Sequence, residues 1–473
     1  MSNELTKSEI VQEALKWVKE NQGLKLQADK GFYSSPRISS EIMDCSLPMT
    51  FDHFSRCQLG CLFCFAYYFK SVNPAITDMS LKAVNIPRMI RSISGEEKSG
   101  RGKHFYDLFY SKKFVLHFGG LADPFCGFER TNKIGYPLIK ALGELNYPTL
   151  FSFKGDTLFE DYYVKLFQKY SKQKNFAFQV SMITFDKKMS ENIEIGVPSP
   201  KRRLEAIKML SNMGYWTILR LRPYIIGITD ESINELLEAA LEAGINGVSM
   251  EFFALDLRTT EGMKMRYKWL SKFVGTSDLV KYFKKLSPSE RGGYMRLNRL
   301  VKEEHVKTVY KFCVENGLVF GCSDPDFKEL NTSGSCCAMP DNYKPNRLLE
   351  NWSRNQLTFH LKEARRIFHK DGVASCLYFD DVFPSGIPYL ENISIVNDHI
   401  KVTGMTNAER YSHTYRTMIQ ETWNNLGSPA NPYNYFNGKV KPIGLDKNEN
   451  LIFKYVLHPY ETKWKEEGIN LKV

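Results

Sequence analysis

Short apolar runs alternate with helical patterns through the middle of the chain. The runs predicted as strands are rich in β-branched and aromatic residues and span residues 114–118, 149–153, 176–183, 216–221 and 247–252. Between them, stretches such as 200–213 and 231–243 repeat apolar residues at helical spacing, and glycine follows each at a typical helix end. This alternation predicts βαβ units and a parallel sheet, either open or curled into a barrel.

Outside this region the pattern is less regular. Charged and apolar residues mix at helical spacing near the start, which predicts an amphipathic helix rather than a secretory signal. We therefore predict an N-terminal helical segment over 1–48 and a core over 49–325. A charged, largely helical insertion is expected at 253–300, and a turn-rich C-terminal extension at 326–473.

Composition and charge narrow the class of protein. The 473 residues are 43% hydrophobic and 25% charged, as in soluble globular proteins. No apolar run reaches the roughly 20 residues that cross a bilayer, so a cytoplasmic protein with no membrane partner is expected. A net charge of +11 permits a DNA or RNA partner without requiring one. In a reducing compartment, the 10 cysteines favour metal binding, catalysis or burial over disulfides.

Cys57, Cys61 and Cys64 form a C-x3-C-x2-C motif. Three closely spaced thiolates can hold three of the four irons of a [4Fe-4S] cluster, which leaves the fourth iron for another ligand. Zinc is an alternative, with His53 as a fourth ligand, although structural zinc sites usually pair two short cysteine elements. Three buried thiols without a metal are a further alternative.

The cysteine motif, with the aromatic Phe63 before its last cysteine, resembles the signature of radical S-adenosylmethionine (SAM) enzymes. The resemblance implies a partial (β/α)6 TIM-type barrel that binds a [4Fe-4S] cluster and SAM. In that family an electron from the cluster cleaves SAM to a 5'-deoxyadenosyl radical, which abstracts hydrogen from the substrate. The radical chemistry belongs to the cofactor. The resemblance also implies a reducing partner such as flavodoxin or ferredoxin.

Further segments are similar to the spore photoproduct lyase-like branch of that family, over roughly residues 50–255. They are residues 123–125, 178–184, 198–207 and 220–227. The cofactor-binding residues that the resemblance implies are Phe63, Tyr67, Gly119, Gly120, Lys154, Ser181 and Arg222. Glycines let a backbone approach a ligand, serine suits a ribose hydroxyl, and lysine or arginine suits a carboxylate. A structural pair of Arg222 with Glu251 is the alternative for that arginine.

Two candidate catalytic side chains follow from this resemblance. Tyr67 is expected beside the adenine, and Cys126 is expected near the radical. The lyases carry a cysteine hydrogen donor just before the aspartate that corresponds to Asp123, whereas this chain has Leu121 and Ala122 there. Lesion reversal by the same donor is therefore not expected, and a plain buried thiol remains the alternative for Cys126.

A second cysteine group lies at Cys322, Cys336 and Cys337. It predicts an auxiliary iron–sulfur cluster in the C-terminal part, with buried thiols or a redox pair as the alternative. The substrate is open between two classes. A nucleic-acid base or nucleotide, to be modified or repaired, fits the basic surplus and the lyase-like segments. A small metabolite or peptide is the second class, and a non-catalytic iron–sulfur sensor is a third interpretation.

Overall fold

The predicted strands lie together in one main sheet. The structure, a computed structural model, describes residues 5–20, 36–38, 44–47, 49–66, 81–258, 260–286, 288–291, 293–341, 357–387, 390–391 and 414–469. Its strands are β1 (Arg37–Ile38), β2 (Met49–Phe51), β3 (Gly60–Cys61), β4 (Leu116–Phe118), β5 (Thr149–Phe153), β6 (Phe176–Ser181), β7 (Glu194–Ile195), β8 (Trp216–Tyr224), β9 (Gly247–Phe252), β10 (Leu255–Asp256), β11 (Ser289–Arg291), β12 (Tyr294–Arg296), β13 (Val319–Cys322), β14 (Cys376–Leu377), β15 (Val440–Leu445) and β16 (Leu451–Tyr455).

Helices alternate with these strands. The α-helices are Lys7–Glu20, Ile86–Ser94, Gly100–Phe105, Gly127–Asn132, Gly135–Glu144, Asp161–Tyr170, Lys187–Ile193, Pro200–Asn212, Ile233–Glu242, Glu261–Phe273, Leu279–Lys285, Arg299–Glu315, Leu357–Asp371, Phe379–Val382, Tyr415–Asn424, Pro432–Tyr435 and Pro459–Glu466. Among the helices of the described residues, none is both long and apolar enough to cross a membrane.

The main sheet has the strand order β1-β2-β4-β5-β6-β8-β9-β13. The successive pairs from β2 to β8 are parallel. The predicted α/β fold, a partial barrel, is confirmed. In a parallel arrangement the carboxyl ends of the strands meet at one edge, where α/β folds place their ligands.

Aromatic side chains fix the register of the central strands. In β5 and β6 every residue is buried, as expected for strands covered on both faces. Phe151 pairs with Phe118 on one side and with Phe178 on the other. The rings of Phe151 and Phe178 are stacked, with centroids 5.2 Å apart. In this register β5 and β6 end within one residue of each other, and β4 ends two residues earlier, opposite Phe151.

The segment after β9 contains two helices and a small sheet. Helix Glu261–Phe273 begins at Thr260, whose side chain accepts a hydrogen bond from the Met263 backbone N–H. The small sheet has the order β10-β12-β11 and is antiparallel. Buried Met263 and Leu270 belong to the same apolar cluster as the cysteine-loop residues 61–63. The insertion therefore packs directly against the cysteine loop.

The chain divides into two compact units. The first comprises Met1–Arg37, Met49–Asn246 and Met250–His305, and the second comprises Ile38–Pro48, Gly247–Ser249 and Val306–Val473. The second unit buries several charged side chains in hydrogen-bonded groups. Its buried Glu461 carboxylate accepts from Arg365, His369 and the Tyr455 hydroxyl at 2.7, 2.8 and 2.6 Å. Each buried charge in this group is thus compensated by a partner.

Candidate active site

Backbone hydrogen bonds attach the cysteine loop to β7 and to the residue before it, Ile193. It enters through β3, which pairs with β7 so that Cys61 lies opposite Glu194. The Leu62 N–H then donates to the Ile193 carbonyl at 2.9 Å, and the Cys64 N–H donates to the Cys61 carbonyl at 3.2 Å. These bonds fix the start of the loop against β7.

All three motif cysteines line one pocket of about 640 Å³. A volume of this size is typical of small-molecule and cofactor sites. The pocket is lined by Arg56, Cys57, Gln58, Leu59, Gly60, Cys61, Phe63, Cys64, Phe65, Ala66, Gly119, Gly120, Leu121, Ala122, Asp123, Ser152, Phe153, Lys154, Ser181, Arg220, Arg222, Pro223 and Arg266. The predicted cofactor-binding residues are among them, except Tyr67, which lies outside the described residues.

The thiols of the loop are electrostatically coupled. Burial raises the pKa of Cys61, and the neighbouring Glu194, Cys64 and Cys57 raise it further, whereas Lys154 lowers it. Mutual repulsion of this kind between thiolates is relieved when each binds a metal, because a coordinating thiol is deprotonated outright. The donor set therefore fits a thiolate-ligated iron–sulfur cluster.

The loop after β4 carries Gly119 and Gly120, and at Gly119 the backbone requires glycine. Gly119 has a φ of +99°, and a Cβ built there would lie 2.2 Å from the Ser152 carbonyl oxygen. Any other residue would therefore clash with β5. Leu121 and Ala122 follow the two glycines. Their backbone N–H groups both donate to the same carboxylate oxygen of Asp52, each at 2.8 Å. Asp52 thus holds this loop in place, a role that no sequence motif indicated.

The Asp123 side chain is buried, and its carboxylate binds backbone N–H groups of the turn after β4 and of the end of β5. Its carboxylate accepts from the backbone N–H groups of Phe125, Lys154 and Gly155 at 2.8, 2.5 and 3.0 Å. Burial raises the pKa of Asp123, and these hydrogen bonds oppose the shift. The residue therefore ties the turn after β4 to the end of β5.

Lys154 lies between the cysteine loop and a buried carboxylate. Its ammonium is 2.5 Å from a Glu194 oxygen and 5.0 Å from the centre of the Phe63 ring. Arg203 donates to the other Glu194 oxygen at 2.5 Å and to the Ser181 carbonyl at 2.6 Å. Burial alone would raise the pKa of Glu194, but Arg203 and Lys154 outweigh it and lower the pKa to about 2.

Strand β8 carries two arginines, Arg220 and Arg222, that are two residues apart. Arg220 donates to the Ser181 hydroxyl at 3.2 Å. Arg222 lies 4.0 Å from Glu251, so the structural pair considered from the sequence is present, although long. Both arginines also line the pocket. A ligand carboxylate or phosphate in the pocket would therefore meet guanidinium groups.

His53 and Cys126 lie outside the pocket lining. The His53 ring is 1% exposed and lies 2.9 Å from the Glu129 carboxylate, which also accepts from the Tyr163 hydroxyl at 2.7 Å. This position does not suit a fourth zinc ligand. Cys126 is 1% exposed, and a hydrogen bond with Cys57 lowers its pKa. The structure therefore places Cys126 against a motif cysteine, behind the pocket surface.

Arg266 reaches the pocket from helix Glu261–Phe273 and was not identified from the sequence. One of its guanidinium N–H groups donates to the Cys61 carbonyl at 2.5 Å. The buried residues Met263, Tyr267 and Leu270 set the rotation of this helix, and position 266 falls on the same side. The one signal in the sequence is its spacing, three residues after Met263 and four before Leu270, which places Arg266 on the buried side of the helix.

The second cysteine group lies in the second unit. Cys322 is fully buried and Cys337 is 6% exposed. A Cβ built at Gly321 would lie 2.7 Å from the Cys336 carbonyl oxygen, so the two segments are in backbone contact. Across the described ranges, no three His, Cys, Asp or Glu side chains are grouped as ligands of a single metal ion. That criterion concerns ligands of one ion. In a cubane cluster each cysteine thiolate binds a different iron, so the ligands need not converge on a single point.

Together, the fold and the pocket define a parallel α/β sheet with a three-cysteine loop at its carboxyl edge. No protein-family profile and no curated protein matches the chain. Comparison with solved structures finds spore photoproduct lyase and Streptococcus suis SuiB. A spore photoproduct lyase mutant with bound AdoMet and dinucleoside spore photoproduct is 12% identical, with a TM-score of 0.44 over 65% of this chain and 92% of that chain.

Two further structures extend this comparison. Spore photoproduct lyase complexed with dinucleoside spore photoproduct is 13% identical, with a TM-score of 0.43 over 62% of this chain and 77% of that chain. Streptococcus suis SuiB bound to S-adenosylmethionine is 16% identical, with a TM-score of 0.33 over 66% of this chain and 54% of that chain.

Proposed function

We propose that this chain is a radical SAM enzyme whose [4Fe-4S] cluster is held by Cys57, Cys61 and Cys64. The observation that supports the proposal is their convergence with Gly119 and Ser181 on one pocket. These residues come from three separate strand-to-loop junctions. A sheet edge that collects thiols, a close-approach glycine and a hydroxyl suits a cluster and a nucleoside-containing cofactor together.

The chain's own residues would position and shield the reaction. When bound, the cluster and SAM supply an electron and a 5'-deoxyadenosyl radical that abstracts hydrogen from the substrate. Asp52 fixes the loop whose Gly119 and Gly120 backbone would bind the methionine amine. Lys154 and Phe63 form an adjoining wall, in which the ammonium lies over the ring. Cys61 and Phe63 are less than 10% exposed, so these two loop residues are themselves shielded from water.

Cofactor cleavage tests the proposal directly. We would reconstitute the protein anaerobically with iron and sulfide, reduce it with dithionite or flavodoxin in the presence of SAM, and quantify 5'-deoxyadenosine. The parent should form it, and Cys61→Ala should not. Cys376→Ala, which removes a half-buried cysteine of the second unit, should behave like the parent. Methylthioadenosine instead would indicate cleavage of another sulfonium bond, and no cleavage by a loaded cluster would favour an iron–sulfur sensor.

A nucleic-acid base or nucleotide is the substrate class that we propose. The net charge of +11 and the cationic side chains of the pocket support it. A base within a duplex would have to leave the stack to reach this pocket. Retention of the protein on single- and double-stranded DNA should therefore fall steeply as salt rises. No retention at low salt would favour the alternative, a small metabolite or peptide.

We also propose that Cys322, Cys336 and Cys337 hold an auxiliary iron–sulfur cluster. Their support is the contact between the two backbone segments that carry them. Iron counting separates the outcomes, since a cubane holds four irons. A triple variant without Cys57, Cys61 and Cys64 should retain about four irons per chain if the second cluster exists. Retention of no iron by this variant would leave Cys322, Cys336 and Cys337 as buried thiols or a redox pair.

A further inference from the structure

Much of the chain's positive charge lies in the insertion after β9. Residues 253–300 contain 11 Lys and Arg against 4 Asp and Glu, a surplus of 7 in a chain whose net charge is +11. The segment is 48 of the 473 residues, so its share of the charge far exceeds its share of the length. A concentration of positive charge of this kind attracts polyanions.

Helix Glu261–Phe273 in this insertion has one buried face and one exposed face. Met263, Tyr267 and Leu270 form the buried face, and Met263 and Leu270 belong to the apolar cluster of the cysteine loop. The exposed face repeats at the same spacing of three and four residues, through Met265, Lys268, Trp269 and Lys272. Because the buried face already attaches the helix, packing does not account for large apolar side chains on the exposed one.

Trp269 is the residue that an ordinary solvated helix face would lack. It is 52% exposed, and the Lys272 ammonium lies 5.3 Å from the centre of its ring. A nucleotide offers the matching pair of groups, a base that stacks on an aromatic ring and a phosphate that binds an ammonium. The bases of a single strand are available for such stacking, whereas those of a duplex are already stacked inside it.

The next helix, Leu279–Lys285, adds positive charge to this surface. Its buried Leu279 and Phe283 belong to the same apolar cluster as the buried face of the first helix. The exposed residues of this helix are its three lysines, Lys281, Lys284 and Lys285. Both helices therefore direct their buried sides into one cluster and their lysines to solvent.

The surface adjoins the candidate active site. Arg266 lies on the first helix, lines the pocket and donates to the Cys61 carbonyl. The helix thus borders the pocket on one side and carries Trp269 and its neighbouring lysines on another. Since a helix is only about 10–12 Å across, a strand bound along its outer face would lie close to the pocket.

We propose that this helix face and the lysines of the next helix bind a single-stranded nucleic acid beside the pocket. The inference rests on the proposed function, because it takes the pocket as the reaction site, and it narrows the substrate to a polynucleotide strand. An anionic membrane would also attract lysines, but a helix that lies in a membrane needs a broad apolar face. In helix Glu261–Phe273, which the structure describes throughout, the only large exposed apolar side chains are Met265 and Trp269.

Strand binding can be measured without turnover. We would follow a labelled oligothymidylate of about 20 nucleotides by fluorescence anisotropy on the reconstituted full-length protein. The parent should bind it saturably. Trp269→Ala should weaken binding about tenfold, the loss of one stacked base, and Trp269→Phe should recover part of the loss.

The salt dependence of binding tests the lysines. The double variant Lys268→Gln with Lys281→Gln should lower the slope of log affinity against log salt by about 1.4, since each phosphate contact on a single strand contributes about 0.7. Lys165→Gln with Lys208→Gln removes the same charge from exposed positions on other helices and should bind like the parent. Circular dichroism would confirm that all variants fold.

The outcomes separate this surface from the proposed enzyme activity. Parental affinity in both Trp269→Ala and the Lys268 and Lys281 double variant would overturn the surface and leave the nucleic-acid substrate standing. Tighter binding of a duplex of the same length would overturn the assignment to a single strand. Binding to phosphatidylserine vesicles without binding to the oligonucleotide would overturn the proposal in favour of a lipid surface. A strand bound through Trp269 by a protein that forms no 5'-deoxyadenosine would overturn the radical chemistry alone.

Discussion

The ammonium of Lys154 lies 2.5 Å from the carboxylate of Glu194, beneath the cysteine loop. Glu194 is fully buried and also binds Arg203, so two cations of the first unit share a single carboxylate. The same strand residue pairs with Cys61 across β3 and β7. The charge balance of this group therefore determines both the stability of the unit and the position of the loop.

Replacing Glu194 by Gln should destabilise the protein strongly. The change leaves Arg203 buried without its counter-charge, which costs about 3 kcal/mol or more in the free energy of unfolding. Urea denaturation at pH 7 would measure the difference. Glu205→Gln is the control, because Glu205 pairs with Arg202 at the surface and its loss should change the free energy by less than about 0.5 kcal/mol. Equal effects of the two substitutions would contradict the role of Glu194.

Stability should depend on acid pH through the same carboxylate. The folded-state pKa of Glu194, about 2, lies below its ordinary value of 4.5, so the charged form is favoured by folding. Its contribution is complete above about pH 5 and is lost as the pH falls toward 2. Between pH 7 and pH 3 the parent should lose about 2 kcal/mol more than Glu194→Gln does. Parallel curves for the two proteins would show that another group carries the pH dependence.

Gly119→Ala should lower the free energy of unfolding far more than Gly214→Ala, although both glycines have a positive φ. The new Cβ would meet the Ser152 carbonyl oxygen at 2.2 Å, whereas a Cβ at Gly214 would meet no heavy atom within 4 Å. Gly214→Ala should therefore lower the free energy of unfolding by only about 1 kcal/mol, the energy of holding alanine at a positive φ. Gly119→Ala must also displace β5 or its own loop, and binding of SAM should weaken with it. Thermal melts and equilibrium dialysis with labelled SAM would measure both effects.

Asp52→Ala should affect the cofactor without affecting the cluster. Removal of the carboxylate releases the N–H groups of Leu121 and Ala122, and the glycine loop loses its fixed position. We expect an increase of about tenfold in the dissociation constant of SAM, from two charge-assisted hydrogen bonds lost. The iron content should remain that of the parent. Asp107→Ala, at an exposed surface pair with Lys103, provides the comparison. A loss of iron would instead place Asp52 in support of the cysteine loop.

Local patterns were sufficient to predict most of the core. The run from Thr149 to Phe153 is a strand with those bounds, and Pro200 begins a helix capped by the Ser199 side chain, since both signals depend on neighbouring residues alone. The strand predicted from residue 114 begins at Leu116 instead. The apolar character continues beyond the hydrogen-bonded ladder there, so the pattern could not fix that end.

The residues that support the site could not be found in this way. Glu194 and Arg203 meet through the fold, and although Arg203 lies in the lyase-like segment 198–207, nothing in that segment indicated its partner. Asp52 acts on N–H groups about 70 residues further along the chain. Arg266 lies in the segment 253–300, which the sequence predicted only as a charged, largely helical insertion. Long-range electrostatic partners leave little trace in a single sequence, because any charged residue at a compatible position would look the same.

The division of the second unit among distant stretches of chain affects how the protein is made. Asp44 of this unit accepts hydrogen bonds from the Thr358 N–H and the Tyr435 hydroxyl, each at 2.7 Å, and the tyrosine lies 391 residues later. At ribosomal speeds of 5–20 residues per second, the tyrosine is added about 20 to 80 seconds after the aspartate. The early segment must therefore wait through most of synthesis for its partners, whereas the parallel sheet of the first unit can begin to form on the ribosome. Slow translation or early termination would expose the unfinished second unit to chaperones and proteases.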